Sequence, residues 1–214
     1  MPAIPPDALL FIAPGCPHCP VVLQGVSDLV KQGAIGKLTV INVASHPELA
    51  AEQGVRAAPW LRLGPFTLTG AQSPAQLQQW VQWARDEQGV LHYIEHVLKE
   101  GDLKSAERFI AEGTQRLATL LEIIANPEEA ITVRLGANAL LEGYAGRDEL
   151  RALMPQLGEL SRHHDHRIRA DACHLLSLTG TPEARPLLTE RLSDENAEVR
   201  EIAAESLEAL PLRQ

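Results

Sequence analysis

Ala8-Leu9-Leu10-Phe11-Ile12-Ala13-Pro14-Gly15-Cys16-Pro17-His18-Cys19-Pro20 is the stretch that decides how this chain reads. The apolar run from Ala8 to Ala13 has the length and composition of a buried strand, and Val21 to Gln32 is patterned as a helix. Two cysteines two residues apart can close a small disulfide. If Cys16 caps the helix, its thiolate also feels the positive end of the helix dipole. In that frame Pro17 takes the first helical position, where a missing N–H costs nothing. The amides of His18 and Cys19 then point at the Cys16 sulfur, and Cys19 sits one turn in, more buried and less acidic. Cys16 becomes the attacking thiol and Cys19 the resolving one, while a protonated His18 lowers the Cys16 pKa further. The bland alternative is half of a zinc site, which needs two more ligands at suitable spacing. Stabilising the thiolate favours the reduced pair and makes the oxidised pair a stronger oxidant, so the direction of electron flow stays open.

Working outward, residues 1–86 read as alternating strands and helices. After the helix to Gln32, Gly33 and Gly36 end it and Leu38-Thr39-Val40-Ile41-Asn42-Val43 is a β-branched strand. His46–Gln53 is a short helix closed by Gly54. Pro59–Leu63 and Phe66–Thr69 flank Gly64-Pro65 as a hairpin. Ser73 caps a last helix with Leu77, Trp80, Val81 and Ala84 at helical spacing.

The order βαβαββα, with the cysteines after the first strand, resembles the thioredoxin fold. It is most similar to the short glutaredoxin-like units of protein disulfide oxidoreductases, whose Cys-Pro-x-Cys-Pro turn stands here as Cys16-Pro17-His18-Cys19-Pro20. Val55-Arg56-Ala57-Ala58-Pro59 matches the stretch before that family's cis-proline, and Gly70 the glycine after its last strand. The resemblance implies a cis Pro59 facing Cys16, with the Ala58 amide and carbonyl holding an extended substrate backbone. It also implies that a Pro-His dipeptide goes with oxidising or isomerising behaviour. Two positions depart from thioredoxin: Gly15 stands where it has tryptophan, and Leu10 where it has a buried acid that assists proton transfer.

From Gly89 onward the pattern is helical throughout. Gly89–Glu100 and Leu103–Ala125 read as two long helices broken at Gly101-Asp102. An internal repeat then appears: Val133-Arg134, Ile168-Arg169 and Val199-Arg200, spaced 35 and 31 residues apart, each followed by alanines and leucines. Small residues let paired helices approach closely and the leucines form a seam between stacked pairs. Over roughly 127–211 this resembles short HEAT-like repeats. The expected organisation is a thioredoxin-like α/β domain at 1–86, a helical connector at 87–126 and an all-α HEAT-like repeat domain at 127–214.

Composition limits the function classes. The net charge of −9 is uneven: residues 1–86 hold 5 basic and 5 acidic side chains, residues 87–214 hold 14 and 23. An acidic surface repels phosphate backbones, which argues against nucleic acid and for a protein partner with a basic face. No apolar run approaches a membrane span, and the first residues lack the basic and apolar regions of a leader, so the expectation is a cytoplasmic protein without a membrane role. Cys173 lies among alanines and leucines and reads as a small hydrophobe. His163-His164-Asp165-His166 falls at an inter-helix turn, and His92 with His96 at i,i+4 lacks an acidic third ligand, so no metal site is expected. The reading is a thiol–disulfide oxidoreductase that exchanges electrons with a protein disulfide through Cys16 and Cys19. It needs no bound cofactor, and its helical module recruits a protein partner. The alternatives are a non-enzymatic adaptor or chaperone and a redox-sensing interaction protein.

Overall fold

The computed structural model describes residues 4–211. The chain divides into two compact units between Tyr93 and Ile94.

The first unit is built on a four-stranded mixed sheet in the order β2-β1-β3-β4. The strands are β1 (Ala8–Ile12), β2 (Leu38–Asn42), β3 (Trp60–Leu63) and β4 (Phe66–Thr69). β1 runs parallel to β2 and antiparallel to β3, and β3 and β4 form the hairpin. The register sets the two faces, because side chains alternate along a strand. Ala8, Leu10, Leu61, Leu63, Phe66 and Leu68 share one face, and every one is buried. Helices α1 (Cys19–Lys31) and α3 (Pro74–Trp83) supply the apolar residues buried with it: Val22, Val26 and Leu29 from one, Leu77, Trp80 and Val81 from the other. The opposite face carries Phe11 and Trp60, which form a cluster with Ala50 of the short α2 (Pro47–Glu52). Ser73 starts α3 with a reciprocal cap: its hydroxyl accepts the Gln76 amide and its own amide donates to the Gln76 side chain. Past α3, Tyr93 stacks on Phe66 at 5.0 Å, and its hydroxyl donates to the Thr67 carbonyl at 3.0 Å.

α4 (Gly89–Lys99) runs across the division between the units. The second unit continues with α5 (Leu103–Ala111), a 3-10 turn at Thr114–Arg116 and α6 (Leu117–Ala125). The sequence pattern suggests one helix from Leu103 to Ala125; instead the chain breaks at Gly113, whose extended backbone (φ −164°) cannot continue a helix. Then follow α7 (Ile131–Glu142), α8 (Asp148–Arg151), α9 (Met154–Leu160), α10 (His166–Leu178), α11 (Arg185–Arg191) and α12 (Ala197–Ala209). The repeated Val/Ile-Arg pair falls at the third and fourth residues of α7, α10 and α12. α10 packs between α7 and α12, and α6, α9 and α11 pack against α7, α10 and α12 respectively. Val133, Ile168 and Val199 are all fully buried in that seam.

Candidate redox site and the arginine clasps

β1 ends in a turn at Pro14-Gly15, where Gly15 takes φ +72°, a left-handed conformation that costs glycine little. The turn delivers Cys16 to the tip of α1. Cys16 and Cys19 are joined as a disulfide with Cα atoms 5.5 Å apart. Cys16 is half-buried, whereas Cys19 is 5% exposed inside the first turn of α1. The Cys19 amide points at the Cys16 sulfur across 3.2 Å. Regular helix begins at Cys19, however, with His18 as its boundary residue and Pro20 in the first turn. Cys16 therefore caps through its sulfur from ahead of the helix, and Pro17 lies outside it. The sequence placed Pro17 at the first helical position because a proline there costs nothing. Pro20 satisfies the same rule one turn later.

The Ala58–Pro59 peptide is cis. The Ala58 carbonyl oxygen lies 3.5 Å from the Cys16 sulfur, so residues 42 positions apart meet at the disulfide. In the oxidised pair the sulfur has no proton to donate; in the reduced pair a thiol S–H can donate to that oxygen. A thiolate instead faces the negative end of the carbonyl dipole on this side and the Cys19 amide on the other. Pro59 is buried, and its carbonyl accepts the amide of Gly70 at 2.9 Å, which ties the loop to the end of β4. Cys16, Cys19, Ala58 and Pro59 are thus brought together. Pro17 and His18 are exposed at the rim, and the His18 imidazole makes no hydrogen bond among the described residues. Leu10 is fully buried among apolar neighbours. Trp60 packs edge-on to Phe11 at 5.5 Å as part of the core. A groove of about 470 Å³ opens between α1 and α3, lined by Pro20, Val21, Gly25, Leu29 and Pro74.

In the second unit the repeated arginines act as clasps between helices. Arg134 donates to Asp171 at 2.7 Å, linking α7 to α10. Arg169 is 5% exposed and donates to both oxygens of Asp194, at 2.9 and 2.8 Å, and to the His163 and His164 carbonyls. Arg200 reaches back to the Asp194 and Glu195 carbonyls. Burial alone would raise the Asp194 pKa. The Arg169 hydrogen bonds, the Asn196 amide and the charges of Arg169 and Arg191 outweigh it and hold the carboxylate below its ordinary range. The sequence marked the arginines through their repetition. Their acids escaped notice because Asp171 and Asp194 stand 37 and 25 residues later, at no fixed period. The histidine stretch forms the turn before α10. Asp165 caps that helix and pairs with Arg167, and the His163 and His164 rings lie 4.1 Å apart, tilted by 35°. Cys173 is fully buried in α10, and burial pushes its thiol up to about 11.

Comparison with known families agrees with these two architectures. Residues 9–82 match the family model of a thioredoxin domain, and residues 117–208 match that of HEAT repeats. No curated protein matches the chain. Among the described residues no helix is long and apolar enough to cross a membrane. The chain is a thioredoxin-like domain followed by HEAT-like repeats.

Proposed function

We propose that this protein is a thiol–disulfide oxidoreductase that acts on a protein disulfide through Cys16 and Cys19, with its HEAT-like module recruiting a protein partner. The observation that carries the reading is the half-buried Cys16 sulfur held between the Cys19 amide and the Ala58 carbonyl, with its partner sulfur buried behind it. In the reducing direction the Cys16 thiolate attacks one sulfur of the client disulfide. A Cys16–client disulfide forms, and the second client sulfur leaves as a thiolate and takes up a proton. Cys19 then loses its proton and attacks the Cys16 sulfur, closing the Cys16–Cys19 disulfide and expelling the remaining client thiol. Two electrons and two protons pass to the client, and a dithiol donor restores the reduced pair. The same steps run backwards when the client is the stronger reductant. Cys16 is the attacking and Cys19 the resolving sulfur, Pro17 and His18 shape the exposed rim, and Ala58 with Pro59 receives the client backbone.

The acidic second half of the chain and the general use of HEAT repeats as protein-binding surfaces support a partner with a basic face, neither nucleic acid nor membrane. Residues 87–126 serve as the helical connector between domains at 1–86 and 127–214, and the reading places the protein in the cytoplasm. The test is mixed-disulfide trapping with a Cys19→Ser, Cys173→Ser bait, beside the same bait with Cys16→Ser added. Covalent capture that depends on Cys16 is the expected result. No capture, together with no Cys16-dependent exchange on a disulfide-bonded peptide, would sink the enzymatic reading in favour of an adaptor.

A further inference from the structure

The strand register collects four segments at the end of the sheet that carries the cysteines. Ile12 stands opposite Asn42, Phe11 opposite Trp60, and Trp60 opposite Thr69. Residues 13–18, 43–46, 53–59 and 70–73 therefore enter or leave the strands at that one end. In a chain with 28 acidic and 19 basic side chains, these segments hold no aspartate or glutamate, and Arg56 is their one permanent cation. Arg56 is exposed and makes no hydrogen bond or ion pair among the described residues. Of the acids on α2 just ahead of it, Glu48 pairs with His46 at 3.2 Å. Arg134, Arg162, Arg167 and Arg169 of the second unit, by contrast, each hold a carboxylate. The backbone N–H groups of Arg56, Ala57 and Ala58 and the carbonyls of Arg56 and Ala57 are also without a partner among the described residues, while the Ala58 carbonyl faces the Cys16 sulfur.

We propose that Arg56 selects clients by charge, favouring a protein disulfide whose reacting cysteine has an aspartate or glutamate two residues away. The inference rests on the oxidoreductase reading of the Cys16–Cys19 pair. A client sulfur that reaches Cys16 brings its backbone past the Ala58 carbonyl, which lies 3.5 Å from that sulfur. The open N–H and C=O groups of residues 56–58 can bond an extended chain there. Arg56 stands two residues before Ala58, at most about 7 Å along the backbone, and a client residue two away from its cysteine spans the same distance. The guanidinium fork fits a carboxylate with two parallel hydrogen bonds. A client lysine in that place meets a like charge, and no acid in the four segments offsets the repulsion. Because Arg56 is exposed, its effect lies in the rate of encounter and in salt dependence, not in the exchange chemistry itself.

The pre-reduced full-length protein is mixed with three peptides, each blocked at both ends and holding one disulfide. They carry glutamate, glutamine or lysine two residues from each cysteine. Chromatography of acid-quenched samples gives second-order rate constants. The expected order is glutamate, glutamine, lysine, with about five- to tenfold between first and last at low ionic strength. The gap should close in 1 M salt, where charges are screened beyond roughly 3 Å. Arg56→Gln should erase the order, Arg56→Glu reverse it and Arg56→Lys keep it in weaker form. Lys37→Gln, at the opposite end of the sheet beside Ala8, should leave it as in the wild type. A variant that merely loosens the loop lowers all three rates together and leaves their order standing. Equal rates for the three peptides, or an order that survives Arg56→Gln, overturns the proposal while the oxidoreductase reading stands. No Cys16-dependent exchange with any peptide overturns both.

Discussion

Asp194→Ala removes the acidic half of the Arg169 clasp and leaves a guanidinium buried at 5% exposure. Breaking a buried pair by deleting one partner costs about 3–5 kcal/mol, because the remaining charge stays out of water uncompensated. Here Arg169 keeps the His163 and His164 carbonyls at 2.9 and 3.0 Å and the Glu195 carboxylate at 3.3 Å. The lower end, about 3 kcal/mol, is therefore expected. For a unit the size of residues 94–214 this lowers Tm by roughly 10–15 °C. Thermal unfolding followed by far-UV circular dichroism reads the helices directly. Glu195→Ala deletes a carboxylate that touches the same guanidinium but is 86% exposed, and it should cost less than about 1 kcal/mol. The double variant Arg169→Met, Asp194→Leu should lose less than Asp194→Ala alone, since no charge is then stranded. A shift of under about 1 °C for Asp194→Ala, or equal shifts for Asp194→Ala and Glu195→Ala, would refute the argument that burial sets the strength of the clasp.

Acid should act through the same groups. Asp194, and Asp165 beside Arg167, are held below the ordinary carboxylate range. Their stabilisation is thus fully present above about pH 4 and lost as pH falls through the depressed folded-state values, which a urea midpoint series down to pH 2 would show as falling stability. Cys173, pushed up to about 11 by burial, should resist alkylation in the native reduced protein, with about one thiol in a thousand ionised at pH 8; mass spectrometry after iodoacetamide should find Cys16 modified first. Gly89→Ala places a methyl group on the Trp83 backbone carbonyl and against the Phe66 ring. It should destabilise the first unit by about 2–3 kcal/mol, read from tryptophan emission in urea.

Elements with a strong local signal were legible in the sequence. Gly64-Pro65 between two apolar runs marked the hairpin, and Ser73 ahead of Leu77, Trp80, Val81 and Ala84 at helical spacing marked the start of α3. The spaced Val-Arg pairs marked the stacked helices. What escaped depended on contacts between distant residues or on a choice between equivalent local rules. Both Pro17 and Pro20 satisfy the preference for proline in a first helical turn, and only the fold shows that Pro20 holds that place. Gly113 sits inside a continuous helical pattern, and its extended backbone splits Leu103–Ala125 into two helices. At the site, Cys16, Cys19 and the cis-proline stretch were legible from the family likeness. That the Ala58 carbonyl lies against the Cys16 sulfur was not, because no spacing encodes an approach between residues so far apart.

The placement of the indole rings has an optical consequence. Trp60, Trp80 and Trp83 are all the tryptophans the chain has, and all lie in the first unit. Trp60 follows Pro59 directly and is separated from the Ala58 carbonyl at the Cys16 sulfur by that one residue. Light absorbed at the red edge of the protein spectrum therefore samples the unit that carries Cys16 and Cys19, while the repeats remain dark. The chain carries its own chromophore for following thiol exchange without an added label.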